Sequence, residues 1–336
     1  MSATRKTVDI VFGILIVALT SGCISYDGDA EDVTFTSADG TVLAGTFVLP
    51  DKVETPVPAV VLLHGAEPAT RSMAYKMHAN VFLERGMAVL LFDKRGAGES
   101  GGDHSSKTFE QLISDALAAV QFVRERNEVS PSRIGVVGVS QSGWITPEVA
   151  ERSGDLAFVI NKVSPCSAWF ETVAWEMYND LMTDGVAKES AREQAEIQRQ
   201  IRAYYIFDNA EVREELEDVL ARWATREDSQ LPERLEPVSQ SYIDMIGYDP
   251  VPFIKRATTP MLYLYGTDDV NIPTSECVDT LSSLQADGVP VSYHVFSDEG
   301  HELGGVGLKG YSFADGYAEI IGDFAVEQTR LVNSSD

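Results

Sequence analysis

Four short, unbroken apolar runs, "AVVLLH" (59–64), "AVLLFD" (88–93), "IGVVGV" (134–139) and "AFVI" (157–160), recur along the chain with helical stretches between them. A strand wetted on one face alternates apolar and polar residues, whereas a strand covered on both faces reads as a continuous apolar run. Such runs separated by helices predict an α/β fold with a mostly parallel central sheet and helices on both sides. The rhythm returns with "MLYLYG" (261–266), a helix near 274–286, a strand at 289–296 and a last helix near 313–331. Ahead of it, residues 33–49 alternate apolar and polar around Asp39-Gly40, a dipeptide suited to a tight hairpin turn, which predicts two antiparallel strands.

Between 167 and 249 the strand rhythm stops. This acidic, amphipathic stretch carries Trp169, Trp175 and Trp223 and reads as a helical cap inserted between two core strands, with the core formed by 32–166 and 250–331. A helix after the second run is marked by Thr108 and Gln111 in capping-box spacing, followed by Leu112, Ile113, Ala116, Leu117, Val120 and Val123 on one face.

Charge narrows the function classes. The chain's 26 lysines and arginines face 52 aspartates and glutamates, a net charge of −26. Nucleic-acid binding needs clustered basic residues, so a nucleic-acid partner is set aside. Such an acidic surface on a chain that is 44% apolar resembles proteins of salt-loving archaea, in which molar salt screens self-repulsion to about 3 Å. Three cysteines, none in C-x-x-C spacing, support neither a disulfide scaffold nor a zinc site, and no cofactor is expected. Cys166 and Cys277 read as two buried free thiols.

The first 22 residues differ from the rest. Arg5 and Lys6 precede an apolar run at 10–19, too short to span a bilayer as a helix but suited to a signal peptide. Ser21, Gly22 and Cys23 resemble a lipobox, which implies lipidation of Cys23 and a membrane-anchored lipoprotein on the outer face of the cell; a secreted protein is the alternative. Removing 1–22 takes away Arg5, Lys6 and Asp9, leaving 24 basic and 51 acidic residues, a net −27.

The chemistry points to one serine. "GVSQSG" ends the third apolar run, and residues after Ser140 begin a helix, so Ser140 sits at a strand-to-helix corner with small residues Gly138 and Ser142 two positions to either side. A serine hydroxyl needs a base to take its proton. Of five histidines, His64 follows a strand, His78 lies in a helix, His104 in a glycine-rich loop and His294 inside a strand. His301, in "SDEGHELGG", follows the last strand and is the expected base. The imidazole needs a carboxylate, and "YLYGTDDVNIP" offers Asp268 and Asp269 at the end of the preceding strand.

The order Ser, Asp, His and the corner serine make residues 32–331 resemble the α/β-hydrolase family. Gly266, Asp269, Ile272 and Pro273 match its G-x-x-D-x-x-[VI]-P segment, so the resemblance implies Asp269 as the acid; the stretch "NKVSPCSAWF" offers no carboxylate after the alternative strand. It also implies an oxyanion hole from the backbone N–H of Gln141, and of Ala66 after "HG". The segment "FDKRGAGESGG" looks like the family's D-x-R-G-x-G-x-S framework, with Arg95, Gly96 and Ser100 structural.

Serine at the corner argues against the dehalogenases and epoxide hydrolases of this fold. The expected function is ester hydrolysis through an acyl-enzyme on a small-molecule ester or peptide-like substrate. A serine aminopeptidase, an amide or thioester hydrolase, and a silent binding protein are the alternatives. Trp144, Trp169 and Trp175 are candidate pocket walls, and Arg71 and Lys94 read as surface charges. Acyl group, leaving group and oligomeric state are left open.

Overall fold

The structure, a computed structural model, describes residues 25–307 and 310–333. The expected signal peptide at 1–22 and lipidation site at Cys23 lie outside the described residues. Among the described residues no helix is long and apolar enough to cross a membrane.

An eight-stranded sheet organises the chain: β1 (Gly28–Thr36), β2 (Val42–Pro50), β3 (Val57–Leu63), β4 (Ala88–Phe92), β5 (Val129–Val139), β6 (Phe158–Lys162), β7 (Met261–Gly266) and β8 (Val291–Phe296), in the order β1-β2-β4-β3-β5-β6-β7-β8. Strand β2 is antiparallel to both its neighbours, and the six strands β3 to β8 run parallel to one another. The β1–β2 hairpin turns at Gly40, whose φ of +84° is available to glycine without strain.

The continuous apolar runs have the cause the sequence suggests. Ala59, Val61 and Leu63 of β3 enter one core cluster, while Val60 and Leu62 enter the other on the opposite face. Residues 88–92 divide the same way, Ala88, Leu90 and Phe92 against Val89 and Leu91. Each fully buried valine, leucine or phenylalanine among them contributes about 1.5–3 kcal/mol, which fixes the register of the central strands.

One face is covered by α2 (Phe109–Arg124), α3 (Ser142–Ser153), α8 (Val251–Arg256) and α9 (Thr274–Ala286), through residues such as Ile113, Val149, Ile254 and Leu281. The other is covered by α1 (Met73–Leu83) and α10 (Tyr317–Asn333), through Ala79, Phe82, Ile321 and Ala325. Helix α2 starts with the expected capping box: Thr108 Oγ1 accepts from Gln111 N–H at 3.2 Å, and Gln111 Oε1 accepts from Thr108 N–H at 3.0 Å.

Between β6 and α8 lie α4 (Trp169–Thr183), α5 (Lys188–Phe207), α6 (Ala210–Trp223) and α7 (Gln240–Ile246). Helices α5 and α6 bury a small separate cluster that includes Ile197, Ile201, Leu220 and Trp223. The expectation of a helix from 313 is corrected at its start. Strands β9 (Gly304–Gly307) and β10 (Gly310–Phe313) form a short hairpin first, and Gly316, at φ +82°, precedes α10.

Candidate active site

Ser140 stands between the end of β5 and the start of α3 with φ of +50°, a left-handed conformation that costs a non-glycine residue about 1–3 kcal/mol. The turn is held from both sides: Ser140 N–H donates to the Lys162 carbonyl at 2.9 Å, and its own carbonyl accepts from Gly143 N–H at 2.8 Å. Tight packing explains the small neighbours. A Cβ on Gly138 would lie 2.6 Å from the Thr146 methyl, and one on Gly143 would lie 1.9 Å from the Ser164 Cβ. Where glycine is usual, Ser142 donates its hydroxyl to the His64 carbonyl and so ties helix α3 to the loop after β3.

The loops that end β5, β7 and β8 bring three side chains together. His301 Nε2 lies 3.0 Å from Ser140 Oγ, and His301 Nδ1 lies 2.9 Å from Asp269 Oδ2 and 3.1 Å from Oδ1. Asp269 has a fully buried side chain, and its Oδ1 also accepts from the backbone N–H of Asn271 at 2.8 Å and Ile272 at 3.0 Å. With a carboxylate on one side, the imidazole proton belongs on Nδ1, which leaves Nε2 as an acceptor facing the serine. Asp268, the neighbouring acid, bonds Thr267 instead.

The other histidines have different tasks. His64 is fully buried against Phe92 and Tyr75, and burial lowers its pKa to about 4. His78 is bonded to Tyr317 at 3.1 Å, and burial lowers its pKa to about 3. His294 stacks edge-on against Phe296 within β8. His104 bonds Lys107.

The loop after β3 is tied down at His64 and Gly65. The His64 carbonyl accepts from Ser142, Gly65 N–H donates to Tyr75 at 3.1 Å, and the Gly65 carbonyl accepts from Lys94. Among the described residues, neither Ala66 N–H nor Gln141 N–H donates to a protein acceptor. These are the two amides named from the sequence.

Several expectations are corrected here. Lys94 is not a surface charge: it is 4% exposed, and its Nζ donates to the Gly65 carbonyl and to Gln141 Oε1 at 2.8 Å. Burial is the main cause that lowers its pKa to about 7, helped by Lys107 and opposed by Glu67. Arg71 is likewise bound in place, pairing Asp93 at 3.1 Å, Asp32 at 3.2 Å and Glu99. Trp144 is a core residue rather than an open pocket wall: at 5% exposure it packs against Phe109, and its indole N–H donates to the Ser167 carbonyl at 3.0 Å.

Trp169 is half-buried against the main core, with the Arg202 guanidinium 5.4 Å from its ring. Trp175 lines a cleft of about 440 Å³ with Tyr178, Glu171, Arg192 and Arg199, and its buried indole N–H has no protein partner among the described residues. The framework residues are structural as expected. Arg95 pairs Asp115 at 2.5 Å and Asp39 at 2.7 Å, and Ser100 links the Asp93 carbonyl to Ala44 N–H. Cys166 and Cys277 are free and buried.

Glu176, on α4, escaped the sequence reading. Burial is the main cause that raises its pKa to about 7, with His301 and Arg202 opposing and Asp180 and Asp269 reinforcing. Its signal was weak because one glutamate in an acidic helix is normally solvated.

The family model for X-Pro dipeptidyl-peptidases (S15 family) matches residues 39–301. Esterase EstD of Thermotoga maritima is 28% identical over 276 residues, covering 80% of this chain. The chain spans only 60% of that relative's length. Among solved structures, the Pyrococcus furiosus esterase Pf2001 superposes with a TM-score of 0.59 at 17% identity, covering 90% of this chain and 92% of that one. An acetyl xylan esterase from Paenibacillus sp. R4 gives 0.58 at 19% identity, with 92% and 86% covered. At these identities the structural likeness is one of fold.

Proposed function

The chain belongs to the X-Pro dipeptidyl-peptidase (S15) family, and from that premise we propose that it is a serine hydrolase cleaving small carboxylic esters through an acyl-enzyme. The observation that carries the reading is the hydrogen-bonded chain from Ser140 through His301 to Asp269, together with two backbone amides, of Ala66 and Gln141, that have no protein acceptor among the described residues. In this reading Ser140 Oγ attacks the ester carbonyl carbon while His301 Nε2 takes its proton. Asp269 stabilises the imidazolium, and Ala66 and Gln141 N–H receive the oxyanion. Collapse expels the alcohol with the proton from His301, and a water activated by His301 then releases the acid. EstD and both structural neighbours are described as esterases, which supports an ester substrate.

A second reading, an aminopeptidase, is favoured by Glu176: a buried carboxyl group close enough to feel the charge of His301 can pair with the free amino group of a peptide. The resemblance of Ser21, Gly22 and Cys23 to a lipobox supports an anchored protein facing the exterior, and the acidic composition supports a saline setting.

The test is turnover of a p-nitrophenyl ester panel in molar salt by wild type and Ser140→Ala, alongside aminoacyl arylamides. Ester turnover lost in Ser140→Ala supports the esterase, and preferential arylamide cleavage supports the peptidase. Folded wild type that turns over neither class and resists fluorophosphonate labelling refutes both.

A further inference from the structure

The loop that presents Ala66 is fastened at the His64 carbonyl and at both polar backbone groups of Gly65, and one of the fasteners is a buried cation that takes no part in the proposed proton transfers. Lys94 follows β4, and its backbone N–H donates to the Ala69 carbonyl at 3.0 Å, so its main chain already lies along the loop. Its side chain reaches under the loop to the Gly65 carbonyl and across to Gln141 Oε1 at 2.8 Å. Both hydrogen-bond partners are neutral oxygens. Burying an ammonium without a carboxylate in contact is costly, and an apolar side chain of the same length would avoid that cost.

Peptide geometry shows what the contact controls. The Gly65 carbonyl and the Ala66 N–H belong to one planar trans peptide and point in opposite directions. Holding the carbonyl fixes where the amide points, and a rotated peptide would aim an oxygen, not a donor, at the oxyanion. The second contact reaches the side chain of Gln141, the residue whose backbone N–H is the other donor. One ammonium thus grips both donor residues, and its charge polarises the Gly65–Ala66 peptide so that its N–H becomes the stronger donor.

We propose that Lys94 is a positioning residue that holds the Ala66 and Gln141 amides in the geometry needed to receive an oxyanion. The inference rests on the serine-hydrolase reading of the site. The groups that act on Lys94 are Glu67 and His64 from the loop, and His104 and Lys107 from the segment ahead of α2. Loss of its proton as pH rises through about 7 weakens the grip, so wild-type kcat acquires an alkaline limb.

The experiment compares wild type, Lys94→Met and Gln141→Leu for kcat, KM and inhibition by a trifluoromethyl ketone, whose serine adduct carries an oxyanion. Losing one oxyanion donor costs about 10²–10³ in kcat, so a loosened donor pair in Lys94→Met is expected to cost ~10–100-fold, with KM changed less than about threefold and inhibition weakened in parallel. The alkaline limb should vanish with the lysine. Gln141→Leu keeps both amides and the lysine but removes one acceptor, so it loses a smaller part of kcat, about 3–10-fold, and tests the grip even if Lys94→Met does not fold. Folded Lys94→Met with kcat within about twofold of wild type, or Gln141→Leu with unchanged kcat and inhibition, overturns the inference. Fluorophosphonate labelling separates the two layers: wild type that is not labelled at Ser140 refutes the hydrolase reading, whereas labelled, active wild type with equally active variants refutes only the role of Lys94.

Discussion

Replacing Asp269 by asparagine substitutes one atom, yet the surroundings decide which way the new amide must face. Asp269 Oδ1 accepts from Asn271 N–H and Ile272 N–H, at 2.8 and 3.0 Å, and an NH₂ group cannot accept from either. Turning the amide the wrong way strands two inward-facing donors at about 1–3 kcal/mol each, so the amide oxygen takes the backbone side. The NH₂ then faces His301 Nδ1, which must become an acceptor, and the ring proton moves to Nε2. That nitrogen lies 3.0 Å from Ser140 Oγ and, in the proposed mechanism, can no longer take its proton. A base in the wrong tautomer costs a serine hydrolase about 10⁴ in kcat, or ~5 kcal/mol of barrier. The assay is kcat/KM on a p-nitrophenyl ester for Asp269→Asn and wild type, with thermal melting to show that the fold survives. A folded variant within about tenfold of wild type would refute the tautomer argument.

Arg95→Met strands the Asp115 carboxylate in the core; breaking a buried pair costs about 3–5 kcal/mol, so a sharp loss of Tm is expected, and an unchanged melting curve would contradict it. Gly143→Ala forces a methyl group against Ser164, and a loss of about 1–3 kcal/mol together with most of the activity is expected in melting and turnover assays. For Glu176 the sign follows from burial raising its pKa to about 7 from an ordinary value near 4.5, so the native state loses stability as pH rises through that window. Glu176→Gln is therefore expected to gain on wild type between pH 4.5 and 7, by up to about 3 kcal/mol; chemical denaturation at both ends of the range checks it, and parallel pH curves would refute it.

What the sequence determined was everything carried by local pattern. Continuous apolar runs required strands buried on both faces, and the Thr108–Gln111 spacing placed a helix start. The small residues around Ser140 marked a strand-to-helix corner that only a tight turn would need. His301 and the pair Asp268 and Asp269 followed from where strands end, because a parallel sheet gathers its loops on one edge, and the choice of Asp269 came from the family resemblance of its segment.

Tertiary structure decided the fate of side chains whose surroundings come from distant segments. Lys94 has the composition of a surface residue, and only the approach of the 64–66 loop and of Gln141, 47 residues away, turns it into a buried donor. Trp144 could have lined a pocket until Phe109 and the Ser167 carbonyl enclosed it. Glu176 looks like its solvated neighbours along α4, and its raised pKa comes chiefly from the burial that tertiary packing imposes on it, with His301 opposing. Periodicity records which face of an element is dry, but whether a polar group on that face is paired, stranded or poised depends on partners that the fold alone brings within reach.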